Sequence, residues 1–393
     1  MKFKSFFFFS LFCAFLAIAT PLTYAEQIDS TQAPSSTVTP DNSSSVHGKL
    51  IFAVDLIRHG DRTPLMEIPT IPYTWKEGLE QLTQKGIDQE FALGTKLKER
   101  YITQSHLLPE NYLPGILYAR STGLDRTIMS ANSALTGLYF GSSDLNIARY
   151  PIIPTHNCPR SQEDLLFADN NVTFNFNITD PSQDRRTPLL QTIIFPLPEW
   201  KAKEESLKGN FARWSQATGI PITQLFDLKS LGDTLFIYQL NNIPNPPLLS
   251  EDDVDTIIHA GLWANCTVFQ NKTIGQVAAA NLLQEITTSF QSATTQPHQP
   301  LRYRLYCGHE TTFFVLLTAL GAATPLTDIP PYASDLNIEL FDEGSGHYTI
   351  QVRLNDQPVI LTCSGTDTCT LDQLQALSQE ASNQLKKAQI TLP

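Results

Sequence analysis

The chain has 393 residues, and its 27 Lys and Arg residues against 39 Asp and Glu residues give a formal net charge of −12. A hydrophobic fraction of 41% is that of an ordinary globular protein, which excludes collagen-like, coiled-coil and wholly disordered chains. The acidic balance argues against binding nucleic acid over a broad surface, because such binding needs a clustered excess of Lys and Arg.

The N-terminus resembles a secretory signal peptide. Two lysines precede an apolar run at 6–19, and the small residues that follow predict cleavage after Ala25, so that the signal covers residues 1–25. A retained membrane anchor is the alternative, but the run is shorter than the roughly 20 residues that a span needs. Residues 26–48 are rich in Ser, Thr and Pro and are expected to form a disordered leader. We therefore expect a periplasmic or secreted protein without a membrane attachment after cleavage.

The folded part of the chain begins with an apolar, β-branched stretch at 49–57, which is typical of a buried parallel strand. Downstream, the apolar pattern predicts helices at 78–101, 123–138 and 311–320, and strands at 115–119, 150–153 and 301–307. Two further strands, 336–341 and 348–354, flank a glycine-rich turn and predict a hairpin. Strands that alternate with helices indicate an α/β fold with a mostly parallel sheet flanked by helices.

The middle of the chain has a different pattern. Residues 161–294 are helical or irregular and rich in Pro and Asn, and we expect them to form a mainly helical cap. This cap would be inserted into an α/β domain made of residues 49–160 and 295–393.

Three clusters of polar residues come directly after predicted strands. They are Arg58-His59-Gly60-Asp61-Arg62-Thr63-Pro64, Arg120-Ser121-Thr122 with Asp125-Arg126-Thr127 just beyond, and Gly308-His309-Glu310-Thr311-Thr312. In an open α/β sheet, ligands bind outside the carboxyl ends of the strands, where helix N-termini favour an anion. Histidines and arginines directed to that edge indicate a phosphate-sized anion, because the planar guanidinium pairs with phosphate oxygens in a bidentate manner.

The same residue types support a reaction at phosphorus. A neutral imidazole can attack phosphorus to form a phosphohistidine, and the surrounding cations stabilise the charge of the transferred group. A carboxylic acid can protonate the leaving alcohol, which favours acid pH. The sequence has no zinc-binding, EF-hand or P-loop motif, so we expect neither a metal nor another cofactor.

The pattern Arg-His-Gly-x-Arg-x-Pro at 58–64 resembles the motif of the histidine acid phosphatases, in the branch of the prostatic and lysosomal enzymes. Segments similar to this family follow in order at 78–86, 120–131 and 330–334, and the resemblance covers most of 49–370. Secreted acid phosphatases of Gram-negative bacteria are similar as well. The resemblance implies a phosphoglycerate-mutase-like fold, hydrolysis of a small phosphomonoester, and a homodimer as a candidate assembly.

The resemblance also implies roles for individual residues. His59 corresponds to the nucleophile of the motif. The groups that correspond to its phosphate-binding residues are Arg58, Arg62, Arg126 and His309. Glu310 occupies the position of the general acid, where most relatives have Asp. The other interpretation of Glu310 is a charge favoured by the dipole at a helix N-terminus.

Four further side chains are candidates from the residues alone. Arg120 can support the loop or contact the ligand, and His156 can line the pocket or lie outside it. In an oxidising compartment, the short loop between Cys363 and Cys369 makes this pair the best disulfide candidate.

Two other functions remain open at this point. A phosphotransferase or mutase of the same superfamily would share the first three motif residues and the fold, although the full motif and the export signal favour hydrolysis. A non-catalytic phosphate-binding protein would share the pocket, although the retained His59 and arginines favour catalysis. Assays of a phosphoryl acceptor and of turnover distinguish these functions from hydrolysis.

Overall fold

The computed structural model describes residues 48–140, 152–168 and 189–391. The predicted signal peptide and nearly all of the predicted leader lie outside these residues. So do Tyr150 and Pro151 of the predicted third strand, whose described residues, Ile152 and Ile153, are not in a strand.

The described strands form one eight-stranded sheet. They are β1 (Lys49–Arg58), β2 (Leu117–Ser121), β3 (Thr155–His156), β4 (Tyr303–Gly308), β5 (Asp335–Gly344), β6 (His347–Leu354), β7 (Gln357–Pro358) and β8 (Thr368–Thr370). The order is β3-β2-β4-β1-β5-β6-β7, and β8 pairs with β6. The pairs among β1 to β4 are parallel, whereas β5 pairs antiparallel with both β1 and β6. The α/β class is confirmed, but the sheet is mixed rather than mostly parallel, because the predicted C-terminal hairpin joins it directly.

The parallel register places the ends of three strands at one edge of the sheet. Arg58, the last residue of β1, lies opposite Gly308, the last residue of β4. Ser121, the last residue of β2, lies opposite Cys307. The polar clusters that follow these strands therefore start from neighbouring positions, as the sequence predicts.

Helices cover both faces of the sheet. They are α1 (Gln84–Lys98), α2 (Asp125–Phe140), α3 (Pro198–Thr218), α4 (Leu228–Leu240), α5 (Glu251–Phe269), α6 (Lys272–Thr295), α7 (Glu310–Leu320) and α8 (Leu371–Thr391). Alternate residues of β1 enter two hydrophobic clusters: Ala53 and Ile57 pack with α1 and α2, whereas Phe52 and Val54 pack with α6 and α7. None of the helices in the described ranges is both long and apolar enough to span a membrane.

The helix predicted at 78–101 begins later than expected. Thr83 caps α1, because its side chain accepts a hydrogen bond from the backbone N–H of Gly86. The preceding residues form turns, in which Gly78 and Glu80 have positive φ angles of 87° and 63°. This non-helical segment contributes a side chain to the site described below.

The predicted cap contains α3 to α6 in its described part. Phe290 of α6 packs edge-on against Phe52 of β1, with ring centroids 5.8 Å apart. Since α6 thus lies against the sheet, we propose that the cap ends near residue 271, before α6, rather than at residue 294.

Candidate active site

The three polar clusters meet at the carboxyl edge of the parallel strands. His59 follows β1, and its backbone N–H donates to the carbonyl oxygen of Gly308 at the end of β4 (3.2 Å). His309 comes next in the chain and caps α7. The imidazole rings of His59 and His309 lie edge to face with centroids 5.5 Å apart. The structure thus brings the two predicted histidines into one site.

The ring of His59 is fully buried and held in one orientation. Its Nδ1 lies 2.9 Å from the carbonyl oxygen of Gly60. Because a carbonyl can only accept, Nδ1 carries the proton and Nε2 keeps its lone pair. Nε2 is buried and has no hydrogen-bond partner in the part of the chain that the structure describes. Burial lowers the pKa of His59 well below its ordinary value, and the charges of nearby arginines lower it further.

Gly60 keeps the backbone behind this histidine close to α1. A Cβ at Gly60 would lie only 2.4 Å from the carbonyl oxygen of Gly86, so a larger residue does not fit. The N–H of Gly60 donates to the Ser130 hydroxyl of α2 at 3.1 Å. The peptide that orients His59 is therefore held by both α1 and α2.

Three buried arginines surround His59: Arg58, Arg62 and Arg126. The Nε of each is buried and has no hydrogen-bond partner within the described ranges. These donors and the free Nε2 of His59 form a buried group of unsatisfied atoms, which is costly unless an anion completes it. The arrangement suits the oxygens of a phosphate group, with its phosphorus facing the imidazole.

The terminal nitrogens of the same arginines are held by other groups. Arg58 donates to the carbonyl oxygen of Pro330 (2.6 Å). Arg62 donates from one nitrogen to both carboxylate oxygens of Asp233 on α4, at 2.9 and 3.1 Å. These contacts fix the guanidinium planes, so the free Nε groups are positioned in advance.

His309 lies beside His59 and is nearly buried. Its Nε2 is 3.0 Å from the hydroxyl oxygen of Thr122, in the cluster that follows β2. Burial and the charge of Arg126 lower the pKa of His309 well below its ordinary value. Phe167 packs against the ring with centroids 4.9 Å apart, so an apolar wall limits its access to water.

Glu310 is the first residue of α7, and its carboxylate lies 3.8 Å from Arg58. Burial alone would raise its pKa, but the charges of Arg58, Lys229 and Arg62 outweigh burial and lower the pKa to about 2. The free site therefore favours the ionised form of Glu310, which has no proton to donate. Its side chain nevertheless reaches the site, where 15% of it is exposed.

Three residues near the site were missed by the sequence analysis. Tyr332 stacks 4.3 Å from the guanidinium of Arg58, and its ring centroid is 5.8 Å from that of His59. Its only signal is its place in the family-like segment 330–334. Asp233 pairs with Arg62 and Glu80 with Arg126, two arginines that are expected to bind phosphate. Asp233 carries no sequence signal, and the only signal of Glu80 is its place in the family-like segment 78–86.

The two ambiguous side chains lie outside this group. Arg120 donates to the buried carboxylate of Glu163 at 2.9 Å, which supports the structural interpretation. His156 is exposed and stacks on Tyr118, with ring centroids 4.8 Å apart. Within the described ranges, no group of three or more His, Cys, Asp or Glu side chains has the arrangement of a metal site.

Cys363 and Cys369 are free thiols in the structure, so the predicted disulfide is not formed there. The two side chains are hydrogen-bonded, and burial together with this neighbour raises the pKa of Cys369 to about 12. Their proximity keeps oxidation to a disulfide as a prediction for an oxidising compartment.

Comparison with known proteins agrees with this geometry. Mouse (Mus musculus) prostatic acid phosphatase is 28% identical over 345 residues, covering 84% of this chain and 86% of that protein. Bovine (Bos taurus) lysosomal acid phosphatase is also 28% identical, over 84% of this chain and 77% of that protein. The phytase of Klebsiella sp. ASR1 has a similar fold, with a TM-score of 0.60 at 17% identity, covering 86% of this chain and 97% of that one.

A family model described as the histidine phosphatase superfamily (branch 2) matches residues 49–355. The matched range contains every histidine and arginine of the site. It confirms the family predicted from the motif at 58–64. The protein therefore belongs to branch 2 of the histidine phosphatase superfamily.

Proposed function

We propose that this protein is a secreted acid phosphatase that hydrolyses phosphomonoesters through a phosphorylated His59, without a metal ion. The observation that carries the proposal is the unpartnered, unprotonated Nε2 of His59 among three buried Nε donors. The relatives named acid phosphatases support the activity. The signal-like segment at 1–25 supports export.

In this mechanism, Arg58, Arg62 and Arg126 hold the phosphate oxygens while Nε2 attacks phosphorus in line with the leaving oxygen. The N–P bond forms as the ester P–O bond breaks, and the leaving alkoxide takes a proton. Water then attacks the phosphohistidine, which releases phosphate and restores neutral His59. The buried positive charges stabilise the transferred group, which is where most of the rate enhancement should arise.

Glu310 is the proposed proton donor, although it is ionised in the free site. A phosphate dianion that binds the arginines offsets the positive charge that holds the pKa of Glu310 at about 2. Substrate binding should therefore raise that pKa and allow Glu310 to take up the proton that it gives to the leaving group.

The test is hydrolysis of p-nitrophenyl phosphate from pH 4 to 8 in EDTA, together with trapping of phosphoenzyme by an alkaline quench. Phosphohistidine survives base, so wild type should show a burst of base-stable phosphoprotein. His59→Ala should lose at least about 10⁴-fold in kcat and form no phosphoprotein.

His156→Ala is the matched control, because this histidine is exposed and stacked on Tyr118. It should hydrolyse the substrate at the wild-type rate. A His59→Ala protein that retains activity would refute the nucleophile. An inert wild type would indicate a binding protein, and transfer to glycerol in preference to water would indicate a phosphotransferase.

A further inference from the structure

One carboxylate contacts an arginine that is expected to bind the phosphate. Glu80 accepts a hydrogen bond from Nη1 of Arg126 through its Oε2 at 2.9 Å, and through its backbone oxygen at 3.4 Å. Arg126 is one of the three phosphate-binding arginines proposed above. The guanidinium is buried, whereas 38% of the Glu80 side chain is exposed, so Glu80 lies at the rim of the site.

The backbone holds Glu80 there at a conformational cost. Its φ of 63° is in the left-handed region, which a residue with a Cβ rarely adopts. Three hydrogen bonds tie the flanking segment to the motif loop. The backbone N–H of Glu80 donates to the carbonyl oxygen of Pro64, and that of Thr63 donates to the carbonyl oxygen of Gln81. The backbone N–H of Gln81 donates to the hydroxyl oxygen of Thr63. The loop therefore presents a charged side chain to the site where glycine would fit without strain.

The charges around Arg126 favour an anion at this position. Burial and the charge of Arg62 lower the pKa of Arg126, and Glu80 opposes this effect. A phosphate oxygen at the free Nε would provide the same compensation as the Glu80 carboxylate at Nη1, so the two anions share the charge of one guanidinium and each weakens the binding of the other. A carboxylate displaced from Arg126 also keeps its negative charge at the rim, where it repels further anionic groups of a substrate.

We propose that Glu80 is a specificity-determining residue that competes with phosphate for Arg126. It weakens the binding of the inorganic phosphate product and disfavours substrates with several phosphate groups. The inference rests on the proposed function, since it takes Arg126 as a phosphate ligand. It makes the protein a phosphatase for esters whose leaving group carries little negative charge.

The test compares Glu80→Gln and Glu80→Gly with wild type. Calorimetry measures the binding of inorganic phosphate, and kinetics give the ratio of kcat/KM for myo-inositol hexakisphosphate to that for p-nitrophenyl phosphate. Both variants should bind phosphate about two- to tenfold more tightly and raise the ratio by a similar factor, because each removes the competing charge. Glu77→Gln, an exposed carboxylate of the same loop, is the control and should change neither quantity.

Unchanged phosphate affinity in Glu80→Gln would overturn the inference. Weaker affinity would also overturn it, because Glu80 would then position Arg126 instead of competing for it. Glycine adopts the positive φ without strain, so Glu80→Gly should fold even if Glu80→Gln does not, and the test can still be made. Calorimetry needs no turnover, so it tests this inference separately from the proposed function. If Glu80→Gln binds phosphate more tightly than wild type but neither protein hydrolyses an ester, only the proposed function is rejected.

Discussion

His59 combines burial with a single hydrogen bond that sets its tautomer. The Gly60 carbonyl takes the Nδ1 proton, and burial among arginines keeps the ring neutral at pH values where an exposed histidine is charged. A neutral ring is the nucleophilic form. The same environment that makes the arginines costly to bury thus keeps the proposed nucleophile unprotonated in acid.

Glu310, the proposed proton donor, should affect how kcat and kcat/KM depend on pH. The ratio kcat/KM reports the free enzyme, in which Glu310 has a pKa of about 2. Its logarithm should therefore fall steadily from pH 4 to 8, without an inflection from Glu310. In the complex the phosphate raises that pKa, so kcat should fall as pH rises through the new value. Glu310→Gln should abolish this limb and lower kcat about 10²-fold for an alkyl phosphate.

The leaving group supplies the control for this prediction. p-Nitrophenolate leaves without a proton, so Glu310→Gln should slow p-nitrophenyl phosphate much less than the alkyl ester. The ionisation of the substrate itself affects wild type and variant alike. A limb that persists in kcat for Glu310→Gln would place the donor elsewhere.

Among the elements, α4 connects the proposed cap to the motif. Asp233 extends from α4 to Arg62, which lies directly after β1, and this ion pair is mostly buried. Removing one partner of such a pair strongly destabilises the fold, because the other partner is left as a lone buried charge. The proposed cap therefore holds Arg62, a proposed phosphate ligand, through Asp233.

The pair of α1 and α2 depends on close backbone approach. A Cβ at Gly94 of α1 would lie 2.0 Å from the carbonyl oxygen of Ala134 on α2. Gly94→Ala should therefore force the helices apart and lower the free energy of unfolding by about 1–3 kcal/mol or more. Urea denaturation monitored by circular dichroism measures this change.

Gly209 of α3 is the matched control, because a Cβ there would meet nothing within 4 Å. Gly209→Ala should raise the free energy of unfolding by about 0.5–1 kcal/mol, since alanine is the better helix former. Equal stability of Gly94→Ala and wild type would show that the two helices can separate freely.

At the scale of the whole molecule, buried acid groups affect the dependence of stability on pH. The amide of Asn337 donates to both Asp55 and Asp335 at 2.6 Å, so two buried carboxyl groups share one bridge. Burial raises the pKa of Asp55 and, with the neighbouring Asp55 charge, raises that of Asp335 well above its ordinary value. At least one of the pair should keep its proton in mild acid.

These two carboxyl groups should therefore make the folded state more stable in mild acid than at neutral pH. A carboxyl group with a raised folded pKa contributes its full stability below the unfolded pKa near 3.9, and loses it as pH rises towards the folded value. Asp335→Asn has no proton to lose. Relative to this variant, wild type should lose about 1–3 kcal/mol of unfolding free energy between pH 4 and 8.

Urea denaturation at pH 4, 6 and 8 measures this difference. Asp88→Asn, at an exposed position of α1, is the control and should follow wild type at every pH. The buried histidines act in the opposite direction, but they are present in both proteins and cancel. Parallel stability profiles of wild type and Asp335→Asn would contradict the prediction.

The residues proposed to carry the chemistry could be named from the sequence because their signals are local. The apolar stretch before Arg58 identifies a buried strand, and the motif after it identifies the strand end where anions bind. Parallel pairing then brings His59 and His309 together without further information. The family and the α/β class follow from these short segments, and so does the proposal that five side chains contact phosphate or act as the nucleophile.

The partners of those side chains were decided only by the tertiary structure. Glu80 and Asp233 are 46 and 171 residues from the arginines that they hold, and no periodicity relates them. The ionisation of Glu310 likewise depends on Lys229, which α4 brings near. A motif identifies the residues expected to react, but the charge and burial at a site depend on groups that meet only after folding. The pKa of the proposed proton donor and the proposed competition for Arg126 could therefore be inferred only from the tertiary structure.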